Sequence, residues 1–342
     1  MPDSYDPELE RITSYFHNIW ESAILVAAME LDLFSLLHGG PRSAEEIAAE
    51  AGLDAKGVRI LLDALCPAKL IDKRSGRYAL TASSARYLDR HGEGYIGPIH
   101  WGAARPERWE AWGRLAESVR HGGPVVERYG EPQSYFRGLV RAISHSADYV
   151  VPLLAEHLGI GGEEGEGGGR RSRSILDAAC GSGRYGLKLL ESDPEAQLTL
   201  TDTETVLELA VEEAERSGMS SRVKTVAGDL FEVQLPEGEF DLIMLSHFLH
   251  SNPRERCAEI ISKLARWQKP GGHLAVHDFL PDDQRRRRRF PLLFAANMYI
   301  ANGVGDTYTF PEIEEWMAAA GYRDVRLLDT PGRSSLVIGT LE

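Results

Sequence analysis

The chain has 342 residues, of which 43% are hydrophobic and 26% charged, so its composition excludes wholesale disorder and allows two domains, each with its own core. A formal net charge of −14 argues against a nucleic-acid partner, because phosphate contacts need clustered cations. The three widely spaced cysteines exclude a disulfide framework and a cysteine-based zinc cluster. Together with the lack of a signal-peptide core or a membrane-length apolar run, they predict a cytoplasmic protein with no membrane partner.

The first part of the chain predicts a compact set of helices. Apolar residues fall at helical spacing from Glu10 to Leu37 and predict one or two long helices. The segment from Ser43 to Ile71 then reads as helix, turn, helix, with a capping box of Ser43 and Glu46 on the first helix. Asp54 is placed to cap the second helix. With the short hairpin that follows, these elements form a winged-helix pattern.

A winged helix fits two functions, a DNA reader and a dimerisation and substrate-lid domain. Residues 42–90 carry nine Lys and Arg against seven Asp and Glu, a net charge of about +2, and the second helix has only Lys56 and Arg59 before its apolar run. This is too little positive charge for a reader of phosphate backbones. We therefore predict that residues 1–100 are a dimerisation domain and that the protein has no nucleic-acid partner.

A predicted helical bridge and a loop follow. Residues 101–160 should join the two halves of the protein, and their aromatic side chains, among them Phe136, are candidates for one wall of an acceptor pocket. Residues 161–173 are rich in Gly, Glu and Arg, so they cannot bury a core and predict a flexible surface loop.

The segment Ile175 to Gly186, ILDAACGSGRYG, predicts a buried strand, a glycine-rich turn and a helix from about Arg184. Gly181, Gly183 and Gly186 spell the G-x-G-x-x-G fingerprint of dinucleotide sites. Asp177, four residues earlier, would repel a pyrophosphate. It suits a ligand with positive charge, such as the ammonium and sulfonium of S-adenosylmethionine.

Two more acids follow the next two strands. Asp202 comes after the strand Gln197 to Thr201, where a ribose diol is a natural partner for its carboxylate. Asp229 is placed to meet the exocyclic amine of an adenine, with Leu230 and Phe231 as apolar walls. Three acids at three successive strand ends favour S-adenosylmethionine over a nicotinamide dinucleotide.

Two further strands complete the predicted cofactor domain, residues 174–342. The first, Phe240 to Leu245, ends before the segment SHFLH, and we assign its next residue, Ser246, to the cofactor site. The second, HLAVHDF, opens after the KPGG turn at Lys269 to Gly272. The carboxyl ends of parallel strands are where ligands bind in open sheets of this kind.

Five segments, in this order, carry a family resemblance: LDAACGSG, TDTETVLELA, AGDLF, FDLIMLSHFLH and KPGGHLAVHD. They resemble the class I methyltransferases, and in detail the plant-type small-molecule O-methyltransferases with their bacterial relatives. The resemblance implies an α/β protein with a Rossmann-like doubly wound sheet and an N-terminal, mainly α winged-helix dimerisation domain. It also implies a homodimer that converts S-adenosylmethionine to S-adenosylhomocysteine.

On these grounds we predict methylation of a hydroxyl on an aromatic or polyketide-like small molecule. Transfer to carbon or nitrogen of a similar acceptor is one alternative. A regulator that binds S-adenosylmethionine or DNA without catalysing a reaction is another alternative. It stays open because the acid that the family has beside its catalytic histidine is absent from this sequence.

His250 is the predicted general base, because it follows a strand at the ligand-binding edge and matches the catalytic histidine of the resembled family. His247 competes for this role and is otherwise a candidate substrate contact. The family pattern His-Asp-Trp is replaced by His250-Ser251-Asn252, so the adjacent acid is absent. Asp278 matches a family position that supports the histidine, and we expect it to hold the imidazole instead.

The same region raises a metal site as an alternative, since His247, His250, His277 and Asp278 offer ligand atoms that suit transition metals. Some relatives in the resembled family use iron. Strand alternation, however, puts His277 and Asp278 on opposite faces of their strand. We predict no metal.

The last part of the chain predicts an arginine run, two helices and two closing strands. Five consecutive arginines, Arg285 to Arg289, fit either a solvated loop, which we favour, or a patch for an acidic substrate, nucleic acid or membrane. The apolar helix Phe290 to Ile300 follows, and its Phe294, Asn297 and Met298 are candidate substrate contacts. A helix, a glycine stop and two strands then complete the sheet, with one antiparallel strand in the family's arrangement.

Overall fold

The computed structural model describes residues 6–97, 99, 103–126, 140, 144–160 and 173–342, and these residues form two compact units, Met1–Trp109 and Glu110–Glu342. The helices are α1 Pro7–Glu30, α2 Ala44–Ala51, α3 Ala55–Leu65, α4 Ala82–Tyr87, α5 Pro106–Gly113, α6 Leu115–His121, α7 Ala147–Leu158, α8 Arg184–Ser192, α9 Glu204–Arg216, α10 Arg254–Trp267, α11 Arg289–Ala301 and α12 Phe310–Ala319. The strands are β1 Ile71–Arg74, β2 Arg77–Leu80, β3 Ser174–Ala178, β4 Gln197–Asp202, β5 Val223–Ala227, β6 Phe240–Ser246, β7 Gln268–Asp278, β8 Tyr322–Asp329 and β9 Ser335–Leu341.

The first unit has the predicted winged-helix elements. Ser43 and Glu46 form the capping box at the start of α2, with hydrogen bonds of 3.2 and 2.8 Å. The Asp54 carboxylate accepts a hydrogen bond of 2.6 Å from the amide of Gly57 and so caps α3. The β1–β2 hairpin closes this unit around an apolar core that includes Phe34 and Leu62. The sequence-based expectation of helix, turn, helix and hairpin is confirmed.

The second unit contains a seven-stranded sheet in the order β5-β4-β3-β6-β7-β9-β8. Strands β3 to β7 are parallel, and β9 runs antiparallel to both of its neighbours, as predicted. Ala178, the last residue of β3, pairs with Thr201 of β4 and Leu245 of β6. The carboxyl ends of these three strands therefore lie at one edge of the sheet, where Asp177 of β3 comes close to Asp202 at the end of β4.

Helices cover both faces of this sheet. Residues of α7, α8 and α9, such as Leu154 and Leu189, pack in one buried cluster, and residues of α10 and α12, such as Ile260 and Ile313, pack in another. The doubly wound α/β fold is thus confirmed. Among the described residues, no helix is both long enough and apolar enough to cross a membrane.

Strand β7 differs from the prediction at its start. It begins at Gln268, so the KPGG segment lies inside the strand and does not precede it. The reason is a bulge: Phe240 pairs with Gln268, but Leu242 pairs with His273, and Gly271 has a φ of 78°. A side-chain hydrogen bond of 2.6 Å from Gln268 to the His273 carbonyl closes the bulge.

Candidate active site

The glycine-rich turn between β3 and α8 brings the backbone into a tight loop. Gly183 is the N-cap of α8 with a φ of 71°, a conformation that favours glycine. Gly186 approaches β4 so closely that a Cβ atom would lie 2.7 Å from the Leu198 side chain. Ala179 adopts a φ of 53° in the same turn, although it carries a side chain. The loop therefore has little room for larger residues and presents its amides at the end of a helix.

Two of the predicted cofactor acids hold this loop in place. Asp177 is fully buried, and one of its oxygens accepts a hydrogen bond of 2.9 Å from the Gly186 amide. Its other oxygen, Oδ1, has no partner among the described residues. Burial, together with the nearby charge of Asp202, raises the pKa of Asp177 to about 8. A buried carboxylate oxygen with no partner is costly, so it fits a site that a cationic or hydrogen-bonding ligand completes.

Asp202 ends β4 and also contacts the loop. Its Oδ2 accepts a hydrogen bond of 2.9 Å from the Gly181 amide, and its Oδ1 accepts one of 2.7 Å from the Thr203 amide. Burial raises the pKa of this carboxyl above its ordinary value. Oδ1 also accepts a hydrogen bond of 3.4 Å from the Thr203 hydroxyl, whereas Oδ2 keeps a second lone pair that can accept from a ribose hydroxyl.

The third acid lies in a more open place. Asp229 is exposed, and its Oδ1 accepts a hydrogen bond of 2.8 Å from the Phe231 amide. Leu230 is buried, and the Arg256 guanidinium lies 3.6 Å from the centre of the Phe231 ring. One face of this ring is thus covered, so an adenine would have to meet another part of it. The adenine contacts of Asp229, Leu230 and Phe231 stay predictions.

Ser246, at the end of β6, contributes a second buried polar atom, its Oγ, for which the described part of the chain supplies no partner. It lies one residue beyond Leu245, which pairs with Ala178 of β3. Two unsatisfied polar atoms at neighbouring strand ends fit a polar cofactor that would supply their hydrogen bonds.

His250 and Asp278 form a buried pair. The His250 Nδ1 lies 2.6 Å from Asp278 Oδ1, and the backbone amide of His250 donates to Asp278 Oδ2 at 3.1 Å. Burial would by itself raise the pKa of Asp278, but His250 and the Phe279 amide hold that pKa well below its usual range. The ionised carboxylate accepts a hydrogen bond from Nδ1 and so fixes it as a nitrogen that carries a proton. The other nitrogen, Nε2, is then left as a proton acceptor.

A set of contacts that the sequence analysis missed holds the short 3-10 turn Leu249–Ser251 in which His250 lies. The Tyr308 hydroxyl donates to the Asn252 carbonyl at 2.5 Å, and the Asn302 amide donates to the Ser251 carbonyl at 3.1 Å. A Cβ on Gly305 would lie only 2.3 Å from the His250 carbonyl oxygen. No local sequence signal points to these partners, which come from 50 to 60 residues further along the chain.

His247 and His277 lie close to the base, with their ring centres 4.6 Å apart, but among the described residues no hydrogen bond joins either ring to Asp278. The His277 Nδ1 lies 3.1 Å from the Tyr185 hydroxyl, which in turn lies 2.5 Å from Ser146 Oγ. Burial lowers the pKa of His247 to about 4 and that of His277 well below its ordinary value. Both rings are therefore neutral near pH 7, and Asp278 orients His250 and not His247.

The structure brings together some of the side chains that were considered as metal ligands. Ligand atoms of His247, His250 and Asp278 lie within 4.8 Å of one another, whereas His277 bonds to Tyr185 on the other side of β7. The His250 nitrogen nearest Asp278 already bonds to its carboxylate. Ligation of an ion through Nδ1 would break this hydrogen bond, whereas ligation through Nε2 would occupy the nitrogen that is left as a proton acceptor.

Half-buried aromatic rings lie beside the base. The Phe279 ring centre is 5.6 Å from that of His250, and the Phe294 ring centre is 5.0 Å from it. Asn297 and Met298 follow Phe294 by three and four residues on α11, so they share one face of the helix. Asn297 makes no hydrogen bond to another described residue. Phe136, the remaining predicted substrate contact, lies outside the described residues.

Comparisons with known proteins agree with this architecture. A family model described as a methyltransferase domain matches residues 175–272, and another, described as the O-methyltransferase dimerisation domain, matches residues 13–90. The tetracenomycin polyketide synthesis 8-O-methyltransferase TcmO of Streptomyces glaucescens is 29% identical, over 93% of this chain and 92% of its own length. The 3-hydroxy-5-methyl-1-naphthoate 3-O-methyltransferase of Streptomyces sahachiroi is 28% identical, over 96% of this chain and 94% of its own.

Solved structures show the same likeness. An O-methyltransferase family protein of Burkholderia thailandensis superposes with a TM-score of 0.82 at 26% identity, over 98% of each chain. Human N-acetylserotonin methyltransferase in complex with S-adenosylmethionine has a TM-score of 0.83 at 23% identity, over 100% of this chain and 99% of its own, which supports the fold.

Proposed function

This chain belongs to the S-adenosylmethionine-dependent O-methyltransferase family, and on that premise we propose that it methylates a hydroxyl of an aromatic, polyketide-like small molecule. The observation that carries the proposal is the buried His250–Asp278 pair, with its free nitrogen beside half-buried aromatic rings. An imidazole that a carboxylate orients next to an apolar wall suits the deprotonation of a phenol. Relatives named for a polyketide and for a naphthoate support this acceptor class.

The residues at the strand ends would hold the cofactor. We assign the ribose hydroxyls to Asp202, the ammonium to the unpartnered oxygen of Asp177, and a further polar contact to Ser246. When bound, S-adenosylmethionine supplies a methyl group on a sulfonium, which is already a good leaving group. The protein therefore needs mainly to align the acceptor and remove its proton.

His250 performs the proton transfer in this proposal. The acceptor hydroxyl donates to Nε2, and its proton moves to that nitrogen as the oxygen bonds to the methyl carbon. Asp278 keeps Nδ1 protonated and stabilises the imidazolium that forms. Phe279 and Phe294 line the acceptor side and exclude water from the reacting oxygen.

The proposed function is tested by turnover on matched acceptors. We expect the protein to convert S-adenosylmethionine and a panel of hydroxylated polycyclic aromatics to S-adenosylhomocysteine and methyl ethers, with the position of the new methyl carbon read by NMR. Amino analogues of the same acceptors test transfer to nitrogen. A product with the methyl on carbon or nitrogen would contradict the assignment to oxygen, and a lack of turnover on every acceptor would contradict the acceptor class.

We propose that the reaction uses no metal, because the His250 Nδ1–H is engaged by Asp278 and only Nε2 remains for the acceptor. In the same assay, protein dialysed against a chelator should therefore keep full activity. A loss of turnover that a divalent metal restores would show instead that His247, His250 and Asp278 act as ligands.

The match to a dimerisation domain supports a homodimer, and we propose that α1 forms part of its interface. One side of this helix exposes a row of large apolar side chains, which are half or more exposed. Its members are Leu9, Ile12, Phe16, Ile19 and Trp20. Apolar side chains in a row of this length are usually covered by another surface.

Replacing Ile12 and Phe16 together with glutamate should convert the dimer to a monomer, because two buried charges without partners would face the other subunit. Light scattering after gel filtration measures the mass. The matched control is Ser14→Glu, which adds a charge to the opposite side of α1 and should leave the dimer intact. A double variant that is still dimeric would exclude this face from the interface.

We also propose that the winged helix binds no nucleic acid and that the protein works in the cytoplasm. Several basic side chains of this unit are paired with acids: Arg59 and Lys73 contact Asp63, and Arg77 contacts Glu46. Paired cations are not free to bind phosphates. The three cysteines are all unpaired thiols, as is usual in a reducing compartment.

A further inference from the structure

The arginine run after β7 is not a loosely solvated loop. The Asp282 carboxylate accepts hydrogen bonds from the backbone amides of Arg286, Arg287 and Arg288, at 3.0, 2.6 and 3.2 Å. These bonds hold the pKa of Asp282 at about 2. A carboxylate that binds three successive amides fixes the path of the backbone, so the run is held in one conformation.

Two of the five arginines also have acidic partners. Arg285 lies 3.1 Å from Glu312 and 3.6 Å from Asp306, and Arg288 contacts both Asp329 and the Ser335 hydroxyl. These contacts connect the run to α12 and to the two closing strands. These ion pairs neutralise the positive charge of Arg285 and Arg288 within the protein.

The remaining arginines have no such explanation. Arg286, Arg287 and Arg289 are exposed, and their guanidinium groups have no partner among the described residues. A fourth exposed arginine, Arg333, lies with its guanidinium 4.7 Å from the centre of the Phe290 ring and likewise has no acidic partner among these residues. The positive charge of these four arginines is therefore not neutralised by an ion pair within the described residues, although the chain has a net charge of −14.

This positive charge adjoins the aromatic wall of the active site. Phe290 directly follows the run, and its ring centre lies 4.9 Å from that of Phe279 and 5.7 Å from that of Phe294. Both of these rings contact His250. The Phe290 ring, over which the Arg333 guanidinium lies, is therefore connected to His250 through one intervening ring, that of Phe279 or Phe294. A fused aromatic acceptor with its hydroxyl at His250 would extend along these rings toward Arg333.

We propose that Arg333, with the unpaired arginines of the run beside it, binds a carboxylate on the methyl acceptor and so selects acidic aromatic substrates. This inference rests on the proposed function, which it makes more specific. A guanidinium matches a carboxylate with two parallel hydrogen bonds, and stacking on Phe290 orients its plane in advance. The arginines of the run add long-range attraction for an anion.

The test compares a hydroxynaphthoic acid with its methyl ester, two acceptors that differ in one negative charge. Wild-type protein should prefer the acid, and Arg333→Met should raise the KM for the acid about tenfold while leaving kcat and the ester almost unchanged. Methionine keeps the apolar contact with Phe290 and removes only the charge. Arg333→Lys should recover part of the preference, because it restores the charge.

Arg326→Met is the matched control, since Arg326 is an exposed arginine on the edge strand β8 with no partner among the described residues. It should not change the preference. Equal kcat/KM for acid and ester in the wild type, or equal losses on both in Arg333→Met, would overturn the carboxylate site and leave O-methylation intact.

If neither acceptor is turned over, the result counts against the proposed O-methylation, but it does not decide whether Arg333 binds a carboxylate. Calorimetric titration of the acid and the ester into protein loaded with S-adenosylhomocysteine then decides it. Tighter binding of the acid that Arg333→Met removes would support the site, and equal affinities would overturn it.

Discussion

Replacing His250 with alanine should lower kcat by about 10²- to 10⁴-fold, the range usual for loss of a general base, and leave the affinity for S-adenosylhomocysteine unchanged. The His250 side chain lies on the Leu249–Ser251 turn, which follows β6. It contacts the Phe294 ring on the proposed acceptor side and not the glycine loop. Its loss removes the proton acceptor without changing the loop that the acids hold. Initial-rate kinetics and calorimetry measure the two effects separately.

A matched control is His157→Ala, because His157 is an exposed histidine of the same unit, and this variant should keep full activity. Asp278→Asn provides an internal check. It keeps the size of the side chain but no longer fixes Nδ1 as the protonated nitrogen, so kcat should fall and the pH dependence of the rate should change. If His250→Ala kept its rate while His247→Ala lost it, the base would be His247.

The parts of the fold that the sequence predicted are those set by neighbours in the chain. The capping box of Ser43 and Glu46 joins residues three apart, and the acids at positions 177 and 202 lie at or next to the last residue of their strands. Because parallel strands end at one edge, the order of these segments was enough to predict that the acids meet.

The parts that the sequence did not predict depend on distant contacts. Gly305 approaches the His250 carbonyl, and Arg333 stacks on Phe290, across more than 40 residues of chain in each case. Phe279 follows Asp278 directly, yet its position beside the base could not be seen, because it depends on where the turn around His250 packs. The bulge in β7 was missed for a related reason, since a glycine pair after proline is more often a turn than the inside of a strand.

Asp177 has two roles. Its position before the glycines predicts a contact with the ligand, and the structure shows that it also fixes the loop through a hydrogen bond from the Gly186 amide. These roles are compatible, because only one of its two oxygens is used inside the protein. The same reasoning applies to Asp202, whose Oδ2 accepts one hydrogen bond inside the protein, from the Gly181 amide, and can accept a second.

Replacing Asp202 with alanine should weaken the binding of S-adenosylmethionine and S-adenosylhomocysteine at least about 10²-fold, because each charge-assisted hydrogen bond to a ribose hydroxyl contributes roughly 1.5–3 kcal/mol. The variant also removes the acceptor of the Gly181 amide, so the glycine loop loses one of its fixed points. Calorimetric titration with S-adenosylhomocysteine measures the effect, and a thermal melt shows whether the protein is still folded.

Two further variants separate the direct contact from the effect on the loop. Asp202→Asn keeps an oxygen for the Gly181 amide but loses the charge, so an affinity between those of the wild type and the alanine variant would show that both effects contribute. Glu204→Ala, at an exposed acid two residues away, should bind as the wild type does. Unchanged affinity in Asp202→Ala would show that the ribose is bound elsewhere. The carboxylate would then serve only to close the turn, as its bonds to Gly181 and Thr203 already allow.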